Sequence, residues 1–176
     1  MRWKRGLAGA VMVLILLFLA RTVLYLVTEK HEMPVSIDAM EPFYAVYFGC
    51  PDSVYLIPEF YQGQGTIEER LASLLAGPRL PDLAAVTPEG VKLLGYNQHG
   101  DVLFLNFSHH LITNHPGGSA GEIITVYGIV NTVVGAQGVR RVQILVENRP
   151  VLTLAGHLDL TEPLEKDYEL LGGSHI

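Results

Sequence analysis

"VYGIVNTVVG", Val126–Gly135, is the stretch whose reading decides the fold. Its β-branched and aliphatic residues have the propensity of a buried strand. The residues before it argue otherwise. Ser119 stands three places ahead of Glu122, the spacing of a capping box. An element running from near Ala120 to Gly135 exceeds the roughly 4–8 residues of a buried strand and suits a helix. Ile123, Tyr127, Val130 and Val134 then share one face, with Glu122, Thr125, Thr132 and Ile129 roughly opposite. On this reading Asn131 and Thr132 are helix residues, not a loop site. Asn131 is expected to bond a nearby backbone group, because buried polar side chains are normally satisfied structurally.

Working outward, the segments on either side read as hairpins. "FYAVYFG" and "VYLIPEF" flank the turn "CPDS", and Pro58 should mark the end of the second strand or an edge. "GQGTIEERLASLLAGPRLP" is a helix, capped by Thr66 with Glu69 three residues on and stopped at Gly77-Pro78. Its Ile67, Leu71, Leu74 and Leu75 lie on one face. "VKLLGYNQHGDVLFLNFS" turns at His99-Gly100-Asp101, and "HHLITNHPGGSAG" is a polar connection. "VRRVQILVENRPVLTLAGHLDL" is a third hairpin with Asn148 left-handed at its turn. The remaining tail should fray beyond Tyr168. The order ββαββαββ predicts an α+β domain over residues 43–168, an antiparallel sheet of hairpins with two helices packed on it, and a polar tail, 169–176. Edge strands such as Phe43–Phe48 are expected to be free for pairing.

The N-terminus is of another kind. Arg2, Lys4 and Arg5 lie in a basic end, residues 1–5, ahead of a nearly apolar run, 6–27. As a helix the run would measure about 33 Å, against a hydrocarbon core of about 30 Å. Basic residues ahead of it place the N-terminus in the cytoplasm and the rest outside. Arg21 lies toward the outer end, where its side chain can snorkel. A cleaved signal peptide is the competing reading, and the poor cleavage site at Ala20-Arg21-Thr22 favours an uncleaved single-pass anchor. Residues 28–42 read as a tether.

Charge and cysteine usage exclude several functions. From Glu41 onward there are 15 acidic and 7 basic residues, a balance of −8. Such a domain has no electrostatic footprint for nucleic acid. Cys50 is the single cysteine, which rules out an intrachain disulfide or a CxxC site. His109, His110 and His115 cluster, and His157 precedes Asp159, but no HExxH-type spacing accompanies them. They read as solvated loop residues, with no metal and no cofactor assigned. "HPGGSAG" could offer helix amides to an anion, but Glu122 in the first turn would repel one. Asp101, Glu59 and Asp159 could form a glycosidase pair only at about 5–10 Å, which spacing in sequence does not establish. No P-loop, nucleophile elbow or dinucleotide fingerprint is present, and no residue is assigned as catalytic.

"GTIEERLASLLAGP", "PEGVKLLGYNQHGDVLFLNFS" and "GGSAGEIITVYGIVNTVVGAQGVRRVQILVENRPVLTLAGHLDLTEPL" follow one another in the order of the GerM domain, the spore germination and sporulation domain. The chain resembles that family from about Phe43 to Leu164. The resemblance implies an extracytoplasmic, membrane-tethered protein of spore-forming bacteria, similar to ring-building modules and without catalytic residues. Members are often lipoproteins, whereas this chain has an apolar helical run and no lipobox cysteine. The family turn commonly carries glycine where Asn148 stands, and this chain has room for one such domain. The expected partners are other envelope or sporulation proteins, or further copies in a homo-oligomer, with membrane contact through 6–27. The competing expectations are a peptidoglycan-acting hydrolase and a periplasmic ligand-binding module.

Overall fold

The computed structural model describes residues 15–25 and 42–172. The chain divides into two units, Met1–Met40 and Glu41–Ile176. In the first, residues 15–25 are helical. Among the described residues no helix is long and apolar enough to cross a membrane. The rest of the expected anchor, the basic end, the tether up to residue 41 and residues 173–176 lie outside the described residues.

The second unit is mixed α and β. Its elements are β1 (Phe43–Gly49), β2 (Leu56–Gln62), α1 (Ile67–Ala76), β3 (Leu93–His99), β4 (Val102–Phe107), α2 (His110–Thr113), α3 (Ser119–Val133), β5 (Arg141–Val146), β6 (Arg149–Pro150) and β7 (Leu164–Glu165). The decisive stretch is helical, as its length predicts. β-Branched residues tolerate the helix here because α3 is enclosed: Val126, Ile129, Val130 and Val133 are fully buried. Tertiary burial outweighs the few tenths of a kcal/mol per residue that propensity withholds.

One sheet of hairpins was expected, and the structure has two sheets. β1 and β2 form an antiparallel pair of their own, while β3-β4-β5-β6 form a larger sheet with β7 also on β5. β4 and β5 run parallel, from Val102↔Arg141 to Phe107↔Val146. The reason lies in the connection: α2 and α3 intervene, and a helical crossover returns the chain in its starting direction. Leu103, Leu105 and Phe107 of β4 lie beside Val142, Ile144 and Val146 of β5, and all six are buried in the core.

The third hairpin is also shorter than predicted. β6 pairs only Pro150 with Leu145 and Arg149 with Val146. Its turn places Glu147 at φ 50° and Asn148 at φ 62°, the left-handed geometry expected of Asn148. Asn106 Oδ1 accepts from the Asn148 amide at 2.7 Å, and its Nδ2 donates to Asn148 Oδ1 at 2.9 Å. The expected fraying past Tyr168 is replaced by pairing: Leu56 N donates to Leu170 O at 2.7 Å and Gly172 N to Leu56 O at 3.0 Å.

The first helix matches its sequence signal closely. Glu69 N donates to Thr66 Oγ1 at 3.2 Å and Thr66 N to Glu69 Oε2 at 3.0 Å, a reciprocal capping box. Ile67, Leu71 and Leu74 are buried. Thr66→Ala is expected to cost about 1 kcal/mol, read as a lower urea midpoint with unchanged slope.

Candidate functional site

Glu122 is the one charged residue in α3 and its side chain is fully buried. Helical spacing places it one and two turns from Val126 and Ile129, on a stripe that faces the core. The capping box expected of Ser119 and Glu122 does not form: the cap is Gly118 and no side chain bonds there. Instead the chain beyond β6 folds back over the carboxylate. Oε1 accepts from the amides of Leu154 (2.7 Å) and Ala155 (3.0 Å) and from the Thr153 hydroxyl. Oε2 accepts from the amides of His157 (2.8 Å) and Leu158 (3.3 Å). Gly156, at φ 96°, supplies the left-handed turn that lets both runs of amides converge. Burial alone would raise the pKa of Glu122; the Thr153 hydroxyl and the amides outweigh it and hold the group at about 2.

This loop borders a shallow depression of about 350 Å³ lined by Leu152, Thr153, Gly156, His157, Asp159 and Thr161. Asp159 Oδ1 accepts from the Thr161 amide at 2.9 Å and its hydroxyl at 2.7 Å, and the hydroxyl bond lowers its pKa. A second depression, about 290 Å³, lies at the carboxyl end of α3 and includes Arg140 and Lys166. Lys166 Nζ donates to Tyr47 Oη at 3.0 Å and sits 4.7 Å from the Tyr47 ring centre and 5.4 Å from that of Tyr168. Positive charge here complements the partial negative charge of the helix end. Arg70 does so directly, donating to Thr132 O at 2.9 Å.

The other residues singled out from sequence do not converge. Glu59 is buried on β2 and accepts from the amides of Arg79 (3.1 Å) and Leu80 (3.0 Å). Burial opposes its ionisation, but the Tyr61 hydroxyl and those amides lower its pKa overall. Asp101 is paired with Arg141 at 3.0 Å. The amide of His109 donates to Glu147 Oε1 at 2.9 Å, His110 Nδ1 lies 3.4 Å from Ser108 Oγ, and His115 Nδ1 accepts from the Gly117 amide at 3.0 Å. Among the described residues no three His, Cys, Asp or Glu side chains gather as a metal site would require. Asn131 bonds backbone, as expected: Nδ2 donates to Asp167 O at 2.7 Å, and Oδ1 accepts from Asp167 N at 2.9 Å.

Residues 45–152 match the family model Germane, described as sporulation and spore germination. The chain belongs to the Germane family. No curated protein matches it. Three solved structures share the Germane fold seen here. A Clostridium perfringens protein described as a lipoprotein is 24% identical, with a TM-score of 0.53 over 71% of this chain and 87% of its own. The tandem GerMN domains of the Bacillus subtilis sporulation protein GerM are 21% identical, with a TM-score of 0.54 over 71% of this chain and 45% of theirs. The first GerMN domain alone is 11% identical, with a TM-score of 0.55 over 73% and 98%. Glu122 itself lies inside the Germane match, whereas all of its donors, from the Thr153 hydroxyl to the Leu158 amide, lie just beyond it. Sequence spacing set Glu122 opposite the face of Ile123, Tyr127, Val130 and Val134, but the structure buries Glu122, Thr125, Val126, Ile129 and Thr132 and leaves Ile123, Tyr127 and Val134 half-buried, so the apolar pattern did not mark this carboxylate.

Proposed function

We propose that this chain is a non-catalytic interaction module of the sporulation or germination envelope. It is held outside the membrane by residues 6–27 and acts through its folded surface. The observation that carries this reading is the use made of buried polar groups within a Germane domain. Glu122, Glu59, Asn131 and Thr132 all bind the chain's own backbone. A carboxylate already saturated with amide donors is a poor general base, because its proton affinity is spent.

The test is cross-linking of the full-length protein in sporulating cells, followed by affinity capture. Co-capture of a discrete envelope protein is the expected result. Purified full-length protein incubated with peptidoglycan should release no soluble fragments; release would overturn the reading in favour of a wall hydrolase.

A further inference from the structure

Open strand edges invite pairing with another chain, and folded domains normally blunt them. Over residues 42–172 most edges are closed. Along β1, Arg70 Nη1 donates to Ala45 O (3.2 Å), Tyr47 N donates to Thr132 Oγ1 (3.0 Å), and Gly49 exchanges two 2.9 Å bonds with Ala84. The expectation that Phe43–Phe48 is free for pairing therefore fails. Along β2, Leu56 is bonded by Leu170 and Gly172, Pro58 has no amide proton, and Phe60 O accepts from Arg79 Nη2 at 2.6 Å. β5 is flanked by β6 and β7.

β3 is the exception. It ends the five-stranded sheet, and among the described residues no hydrogen bond from any element but β4 reaches the backbone of Leu93–His99. A bulge lies between Leu93 and Gly95, and regular register follows to His99. The two-residue turn Gly100-Asp101 is closed by His99 and Val102, a hydrogen-bonded pair. Alternation along the strand then aims the N–H and C=O of Tyr96 and Gln98 outward, away from β4. What stands beside this edge is acidic. Tyr96 Oη donates to the Glu68 carboxylate of α1, and that bond holds the Glu68 carboxyl below its usual range. Among the described residues no Lys, Arg or His forms an ion pair with Glu68.

We propose that the Tyr96–Gln98 edge takes one further strand from a different protein, an extended segment with arginine opposite Tyr96. A residue paired with Tyr96 across the edge shares its face, with Cα atoms about 5.5 Å apart. It therefore meets the Tyr96 ring and the Glu68 carboxylate together. Arginine can stack on the one while its planar fork donates to the other. Leu94, 47% exposed, offers apolar contact further along the strand. The domain's balance of −8 draws a basic segment and opposes a second copy of itself. Main-chain bonds supply the affinity in this mode, and side chains at alternate positions supply the selectivity. The proposal rests on the interaction-module reading and names the chemistry of its partner.

Fluorescence anisotropy tests it, with full-length protein in detergent and a labelled nine-residue peptide of alternating threonine and valine whose central threonine is replaced by arginine. The peptide should bind saturably, and the Tyr96 and Gln98 amides should exchange more slowly in the complex. Glutamate in place of its arginine should weaken binding by at least about tenfold. Glu68→Gln keeps an acceptor for Tyr96 but removes the charge. It should weaken the arginine peptide by about two- to fivefold, with circular dichroism unchanged. Methylating the arginine amide nitrogen removes a donor that faces β3 and should abolish binding; methylating a neighbouring valine amide, which faces away, should not. A peptide that does not bind, or that binds whichever amide is methylated, overturns strand addition at β3. Equal binding to Glu68→Gln and wild type overturns the choice of arginine. If the peptide fails while cross-linking in cells still captures a discrete envelope protein, the β3 assignment falls alone; if both fail, the interaction module falls with it.

Discussion

Glu122→Gln should be among the most damaging single substitutions in this chain. The carboxylate accepts four amides and a hydroxyl in a site with no solvent exposure. A carboxamide offers one oxygen, and its NH₂ confronts amides that also donate. Hydrogen bonds to a charged group are worth about 1.5–3 kcal/mol each, and a buried donor left unpaired costs about 1–3 kcal/mol. A loss of at least about 3 kcal/mol is expected, a large part of the roughly 5–15 kcal/mol that holds a domain folded. Urea unfolding at neutral pH would measure it. Amide exchange across residues 153–158 would show where the structure loosens first, because these amides lose their acceptor.

The same substitution should alter the response to acid. Glu122 has a folded pKa of about 2 against an ordinary value of 4.5. The unfolded chain therefore takes up its proton first as pH falls. The stabilisation is complete above about pH 4.5 and is lost progressively as pH falls toward 2. At about 1.4 kcal/mol per pKa unit the depression corresponds to about 3 kcal/mol. Glu59, also lowered, adds a smaller slope of the same sign. Wild-type stability should fall steeply between pH 4.5 and 2. Glu122→Gln should be weaker at pH 6 but show a shallower acid slope. Parallel curves for the two proteins would mean that Glu122 is not the group that titrates.

Local signals in the sequence are legible wherever one element decides its own fate. The Thr66 capping box, the hairpin at Gly100 and the left-handed Asn148 all follow from residue chemistry within a few positions. The helical reading of the stretch from Val126, which holds to Val133, needed only length, since the cap read from Ser119 and Glu122 does not form. What escaped depends on partners distant in sequence. Ser119 and Glu122 have the spacing of a cap, yet Glu122 is claimed by amides 32 to 36 residues on. The parallel β4–β5 pairing was hidden because both strands also lie next to hairpin turns, which suggest antiparallel neighbours. The closure of β1 by Arg70, Thr132 and Ala84 comes from three separate segments, none marked by a motif. The absence of a catalytic motif was readable; the structural employment of Glu59 and Asn131 was not, beyond the general rule that buried polar groups find partners.

Gly128→Ala should destabilise the domain, although alanine favours helices over glycine by about 1 kcal/mol. Gly128 lies inside α3, where glycine needs a reason. The reason is Val86: a Cβ on Gly128 would stand 2.7 Å from Val86 Cγ2, 2.8 Å from Cβ and 2.9 Å from Cγ1. No rotamer of Val86 clears its own Cβ, so backbone must move. Val86 is 3% exposed, and its carbonyl accepts from Thr125 Oγ1 at 2.7 Å, which ties the loop to the same helix. Overpacking of this kind costs about 1–3 kcal/mol, enough to outweigh the gain in propensity. Val86→Ala alone should also destabilise, by removing buried methyl groups. Together the two should couple favourably, because the smaller side chain makes part of the room that the new methyl needs. A double-mutant cycle by urea unfolding would read this as a double variant more stable than the sum of the two losses predicts. Strict additivity would mean that the close approach of Gly128 to Val86 is not what keeps glycine in the helix.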